Sequence, residues 1–498
     1  VKRQALYCDM LGSARWVGEL AQRYPAREIT PLTPWFANIS IHDVEITGCS
    51  TLVDVSALPE KPVKNFFFGN VKAHCDRIGK ICDATKFSMK DVRIESCDTV
   101  MRIDNCDYAS FFGFSNVTTG SSVKIEKTGG ECRYLNVQTY PLVPVNYQSI
   151  RPGEVWLDTE GKPIQAHGFQ VTFREGKYYW YGEDKTHTLF GTNRMFGGVR
   201  CYSSTDFYNW KDEGRIIEPA TDPHSPLHHC QKLERPHILY CAKTGRYVCW
   251  LKSQSNDGHF VILEAEHFMG PYHFVRNLKP NGFAVGDFDM YADPDTGKGY
   301  VWFERPHWEQ ICAELSDDYT NVNGRYSEHF VGKVPPFTRE AAAHFVMDGK
   351  HYIYTSGTTS YTPNPSEVAV FDDYHGEYTV LGNPHIGDEY AHSFCSQITS
   401  VIKIPGKDLY VAMADRWLPH TNKTDIPKKD WQSFLTRYKD HRPYPKDFAT
   451  PKVADRFYTL VNPNQDVYKA TYVFLPIVVK DGIPMIEWKD EWKLENYE

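Results

Sequence analysis

The sequence predicts an all-β chain, a five-bladed β-propeller preceded by a partial right-handed parallel β-helix. Two repeats carry this expectation. A short-period repeat with one strand per copy occupies residues 1–137, and a longer-period repeat of aromatic hairpins occupies residues 154–498. Helix-type spacing of apolar residues is nearly absent from the second.

In the first repeat three segments align: "ISIHDVEITGC", "FFFGNVKAHC" and "FSMKDVRIESC". Each places Asp or Asn before Val, then an alternating strand, then Cys. Val44, Val71 and Val92 step by 27 and 21 residues, and Cys49, Cys75 and Cys97 by 26 and 22. A period in the twenties with one short strand per copy points to stacked coils. Residues on one rung stack, so the three cysteines are expected as an interior ladder of small apolar side chains. The 13 cysteines are an odd number without a C-x-x-C pair, which excludes a fully paired disulfide framework and zinc-type spacing. Residues 138–153, "QTYPLVPVNYQSIRPG", are Pro-rich and aperiodic and read as a linker.

The second repeat begins each copy on a turn glycine: "GKYYWY" at Gly176, "GRYVCW" at Gly245, "GKGYVW" at Gly297, "GKHYIY" at Gly349 and "GKDLYV" at Gly406. The steps are 69, 52, 52 and 57 residues. Five hairpin-centred units of this size fit five propeller blades better than a β-sandwich with coincident turns. The innermost strands of a propeller face its axis, so polar residues of equal phase converge on one funnel. His167, Glu234, Asp287, Glu340 and Gln397 share such a phase, 9 to 11 residues before their blade's turn glycine. A lone acid at a strand start is usually a solvated edge; the common phase makes these five a candidate site.

Composition narrows the partner. Aromatics are 14% of the chain, and flat ring faces suit sugars as well as β cores. A net charge of -8 with a pI near 6.2 argues against nucleic acid and anionic membrane. No apolar run is long enough to span a bilayer. The chain starts "VKRQALYCDM" without Met, as if its natural start were missing, so the absent leader is silent about compartment. A carbohydrate-active role goes with a secreted or periplasmic location.

Three carboxylates converging on a funnel suit glycoside hydrolysis. One protonates the leaving oxygen, a second group positions or deprotonates water, and a third tunes the first by like-charge repulsion. No organic cofactor is needed, and no metal ligands are assigned. A structural calcium ion is the rival use of clustered carboxylates, although no D-x-D-x-D-G loop is present.

Residues 153–490 resemble glycoside hydrolase family 43, in its exo-β-1,3-galactanase-like and β-galactosidase-like branch. The matching stretches include "IQAHGFQVTFREGKYYWYGEDK", "VRCYSSTDFYNW", "LERPHILYCAKTGRYVCW", "FTREAAAHFVMDGKHYIYTSGTTSYTPNP", "SQITSV", "ADRW" and "TYVFLPI". The resemblance implies that Glu340 is the general acid and that Asp287 orients and tunes it. It implies that Gln397 holds the attacking water, with Glu234 a further candidate because a neutral amide is a poor base. His167, Glu183, Arg235, Tyr361, Asp415, Arg416 and Trp417 are the expected substrate-binding residues. The first-blade position, an aspartate base in most of the family, reads "QAHGF" here.

Other departures are "EAAAH" where the family has Pro after Glu-Ala, and "VGDFD", which lets Asp289 compete with Asp287. A basic, aromatic insert also spans about 421–469. Residues 1–137 resemble the C-terminal coils of polygalacturonase-like parallel β-helix proteins through "NISIHDVEI", without that family's catalytic aspartates.

The expected function is exo-acting, inverting hydrolysis of β-galactosyl linkages in a plant-type polysaccharide. The alternatives are an α-L-arabinofuranosidase or β-xylosidase of the same family, or a non-catalytic carbohydrate-binding propeller.

Overall fold

The computed structural model describes residues 3–132, 135–139, 145–186, 188, 195–254, 258–333, 337–359, 361, 363–417 and 467–498. It divides into two compact units, Val1–Val145 with Glu160–Lys162, and Asn146–Thr159 with Pro163–Glu498.

The first unit is a β-solenoid. Ala37–Ser56 pairs in parallel with Val63–Glu95, which pairs in parallel with Val100–Asp107. Val44 lies opposite Val71. The Asp or Asn before each repeat Val has a physical reason. Asp43 (φ 57°), Asn70 (φ 46°) and Asp91 (φ 51°) all sit in the left-handed region, which these residues tolerate at a corner. The corners also stack: Asn70 Nδ2 donates to Asp43 Oδ1 at 2.6 Å, and Asn65 Nδ2 to Asn38 Oδ1 at 2.9 Å.

Cys49 faces Cys75, both buried, and all 13 cysteines are free. The third rung differs from expectation. Cys97 is exposed at a bend, and the buried Ser96, 21 residues after Cys75, turns inward and donates to Asp76 O at 3.3 Å.

The second unit is a five-bladed propeller of antiparallel four-stranded sheets formed in sequence order. The fifth sheet gains the short strand His385–Ile386, parallel to Ile483–Glu487. The first strands, His167–Arg174, Leu233–Cys241, Phe288–Ala292, Arg339–Met347 and Gln397–Lys403, touch in a closed ring. The five turn glycines explain the repeat: Gly176, Gly245, Gly297, Gly349 and Gly406 have φ between 68° and 78°, where a side chain would be strained. The aromatic strand after each turn is buried between blades. Trp180, Trp250, Trp302 and Tyr354 are fully covered, each worth roughly 1.5–3 kcal/mol of burial.

Residues 138–153 do not behave as a linker throughout. From Asn146 the chain packs on the propeller: Ile150 bridges to Trp492, and Tyr147 N donates to Asn209 Oδ1 at 2.6 Å. The insert expected at 421–469 lies, up to residue 466, outside the described residues.

Imidazoles are buried without charge in several blades. Burial holds the His329 and His385 rings down at about 4, and His344, stacked 4.5 Å from Trp302, well below its usual value. An unfolded chain protonates these groups near pH 6.5. Their stabilisation is therefore complete above about pH 6.5 and is lost as pH falls towards about 4, because the unfolded chain takes up protons that the folded one refuses. The urea midpoint should drop across that window, and a His329→Gln/His385→Gln variant should show a shallower drop. Parallel pH profiles for the two proteins would contradict the assignment.

Candidate active site

The residues of equal phase are placed by β-bulges. The strand register slips after His167, Glu234 and Glu340, and the next residue in each case is left-handed: Gly168 (φ 54°), Arg235 (φ 52°) and Ala341 (φ 50°). A bulge bends the strand and re-aims the side chain beside it. Gly168 is required twice over, because a Cβ there would also lie 2.5 Å from Glu183 Oε1. Blade three reaches the same point without a bulge, where Glu304 N donates to Asp287 O at 3.0 Å just ahead of the strand.

The result is a pocket of about 230 Å³. That is below the roughly 300–1,000 Å³ of sites for drug-sized ligands, and suits a single sugar ring. Glu183, Glu234, Asp287, Glu340 and Gln397 line it, and Tyr361 and Trp417, with ring centroids 5.3 Å apart, add an aromatic wall.

Charge is distributed unevenly around this pocket. Lys252 Nζ lies 2.7 Å from Glu234 Oε2 and 2.6 Å from Asp287 Oδ1, and Arg235 Nη2 lies 2.8 Å from Asp287 Oδ2. Burial pushes both carboxyls up. For Asp287, Arg235 and Lys252 outweigh it; for Glu234, Lys252, Lys232 and Lys185 do, and both groups end below the usual carboxylate range. Glu340 has no ion pair among the described residues. Burial first, then repulsion from Asp287 and Glu304, holds it well above that range. Behind it, burial and Asp287 push Glu304 up to about 8. The funnel thus sets carboxyls with raised pKa values, Glu340 foremost and Glu183 and Glu304 with it, against Asp287 and Glu234, whose values are lowered.

Gln397 is locked in place. Its Oε1 accepts from Arg235 Nη2 (2.7 Å) and Trp417 Nε1 (3.1 Å), both obligate donors. Its Nε2 donates to Ser356 Oγ (2.9 Å) and Glu340 Oε1 (3.4 Å). Arg235 also donates its backbone N–H to Glu183 Oε1 at 3.0 Å, and Glu183 pairs with Lys185.

Eight of the eleven residues singled out from the sequence line this pocket. Three do not. His167 is fully buried; its Nδ1 donates to Asp415 Oδ1 at 2.9 Å, and its ring stacks 5.0 Å from Tyr472. Asp415 is equally buried and also accepts from Gly168 N at 2.8 Å. The pair clasps blade one to blade five. Arg416 points elsewhere, donating to Phe394 O at 2.8 Å with its guanidinium over Trp488. Asp289 does not rival Asp287, because it accepts from His237 Nε2 (2.9 Å) and His344 N (2.6 Å) inside the blade.

Sequence reasoning missed Lys185, Lys232, Lys252, Gln254 and Glu304. A usable signal existed. The second-strand residue opposite each first-strand position falls seven residues after the turn glycine in four blades (Glu183, Lys252, Glu304 and Ser356) and nine after it in the fifth (Asp415). Lys252 and Arg235 already occupy the oxygens of Asp287 that a calcium ion would need, so these carboxylates do not suit that ion.

A closed propeller whose funnel holds carboxyls of raised and lowered pKa supplies the kinds of group that glycoside hydrolysis needs. Residues 169–401 match the model of glycosyl hydrolases family 43, and the chain carries a domain of that family. A solved family 43 β-1,3-galactosidase is similar over 71% of this chain and 65% of its own, at 27% identity and a TM-score of 0.57. This chain therefore spans less than two thirds of that protein. A second β-1,3-galactosidase, solved with galactodeoxynojirimycin, is 27% identical over 69% of this chain and 100% of its own, with a TM-score of 0.56. An exo-β-1,3-galactanase from Clostridium thermocellum is 26% identical over 69% and 66%, with a TM-score of 0.53. No curated protein matches.

Lys252 is the cation on which two buried carboxylates depend. Lys252→Met should lower the unfolding free energy by up to roughly 3–5 kcal/mol, because it leaves Asp287 with Arg235 alone and Glu234 with only Lys232, 3.4 Å away. Lys252→Arg should retain most of the stability. Urea denaturation of both variants checks this, and equal midpoints for Lys252→Met and the parent chain would refute it.

Proposed function

We propose that the chain is an exo-acting glycosidase that removes terminal β-galactosyl residues, of the β-1,3-galactan kind, with inversion of configuration. One observation carries the reading: Glu340, half-buried on the pocket wall, has no ion pair among the described residues, while Asp287 and Glu234 are paired with Lys252 and Arg235. The substrate class is supported by the names of the two β-1,3-galactosidases and the exo-β-1,3-galactanase it resembles. A pocket sized for one sugar ring favours attack at a chain end.

In this reading Glu340 delivers its proton to the glycosidic oxygen as the bond breaks. Asp287, fixed from two sides, keeps that proton in place by repulsion. Water attacks from the opposite face of the ring. Gln397 orients that water after giving up one of its present partners, and the ionised Glu234 takes its proton. Inversion requires roughly 6.5–9.5 Å between the acid and the water-activating group to make room for the water. No organic cofactor enters, and a secreted or periplasmic location fits a polysaccharide substrate. The arabinofuranosidase or xylosidase alternative draws less support, since the first-blade position of the usual base is His167, which is clasped to Asp415 and out of reach of substrate.

Glu340→Gln should reduce kcat by roughly 10²–10⁴-fold. It should also raise Tm at neutral pH. The folded carboxyl keeps its proton where the unfolded one, with a pKa near 4.3, has lost it; folding bears that cost at neutral pH, and the amide removes it. Activity should fall on the alkaline side as Glu340 ionises, at a pH above the ordinary carboxylate range. The deciding assay incubates the full chain with β-1,3-galactan, arabinogalactan and pectin side chains, and reads products by chromatography and the first-formed anomer by NMR. Galactose released as the α-anomer supports the reading. Release of arabinose or xylose alone, or no release from any glycan, would sink it.

A further inference from the structure

Beyond the pocket, one exposed aromatic stands on the loop that begins at Glu304. Trp308 is 61% exposed at the tip of the loop joining Gly299–Glu304 to Gln310–Leu315. The loop is closed by Trp308 N donating to Arg305 O at 2.8 Å and Arg305 N donating to Glu309 O at 3.0 Å. The Arg305 guanidinium lies 4.7 Å from the Trp308 ring and 5.6 Å from the Phe283 ring, and its Nε pairs with Glu309 at 2.9 Å. Phe283 in turn packs edge-on against Tyr326, with centroids 5.3 Å apart. A cation held between two rings and anchored by a carboxylate fixes the indole in place. A surface tryptophan with no role other than exposure would gain nothing from such a mount.

The foot of this loop belongs to the site. Glu304 hydrogen-bonds Asp287 through the backbone, and its side chain accepts from His307 N at 2.7 Å. Trp308 lies four positions after Glu304, so the indole stands on a backbone at most about 14 Å from the residue paired with Asp287. The pocket has room for one ring, and the rest of a polysaccharide must therefore leave across the rim. We propose that Trp308, mounted on Arg305, is a stacking shelf for the second or a later sugar residue beyond the cleaved bond of the same galactan chain. The proposal rests on the galactan reading above and adds a subsite that makes the enzyme favour longer chains.

The test compares kcat/KM of the full chain for β-1,3-galactobiose, -triose and -tetraose in wild type, Trp308→Ala and Trp308→Phe. One ring stack is worth about 0.5–1.5 kcal/mol, so Trp308→Ala should lose up to roughly tenfold on the longest substrate and little on the shortest. Trp308→Phe should recover part of the loss, and thermal melting should leave both variants unchanged, as befits an exposed site. If Trp308→Ala has no effect, or lowers all three substrates by one factor, the shelf is wrong while the galactanase reading stands. If the wild type cleaves none of the three, both fall together.

Discussion

The site depends on how few cations are shared among many buried carboxylates. Lys252 touches Glu234 and Asp287, Arg235 touches Asp287 and Gln397, and Lys185 is spent on Glu183. Among the described residues none of these cations pairs with Glu340, and burial with repulsion from Asp287 and Glu304 raises its pKa. Its acidity is thus set less by its own surroundings than by the prior claims of its neighbours. Moving any one of these cations would redistribute charge over the whole funnel, because a buried carboxyl without a partner is neutralised instead of staying ionised.

The propeller makes that sharing geometrically cheap. Each blade offers two axial positions, one at the start of its first strand and one opposite it on the second. The pairs His167–Glu183, Glu234–Lys252, Glu340–Ser356 and Gln397–Asp415 are successive instances of one register. Five blades therefore deliver ten backbone positions around a common axis before any side chain is chosen. Chemistry then varies by substitution at fixed places, such as a lysine in blade two where blade four has a serine.

Much of this was legible from local pattern. Turn glycines with positive φ announce themselves, as do aromatic strands and the Asp or Asn corners of the solenoid, because each answers to a backbone constraint acting over a few residues. Phase along the strand also located Glu234, Asp287, Glu340 and Gln397. What phase cannot reveal is whether an axial side chain is covered. His167 has the right phase, yet it is sealed by Asp415, 248 residues away, and by Tyr472. Cys97 shows the same limit on a smaller scale, since a one-residue change in step put Ser96 on the rung instead. Lys252 escaped notice because a lysine near the end of an aromatic strand looks like a solvated terminus until its two partners, from other strands, are in view.

The clasp between blades one and five has a consequence for how the protein is made. Asp415 satisfies both the His167 ring and the Gly168 backbone, and Ala166 N is met by the hydroxyl of Tyr472. Until the final blade is synthesised, these donors face an open seam, and Gln397 is not yet there to bond Glu340 and Arg235. Ring closure and assembly of the funnel are in effect one event. A nascent chain carrying four blades would hold Glu340 without Gln397 across the axis, so the funnel is completed by the last blade and not in proportion to the length already folded.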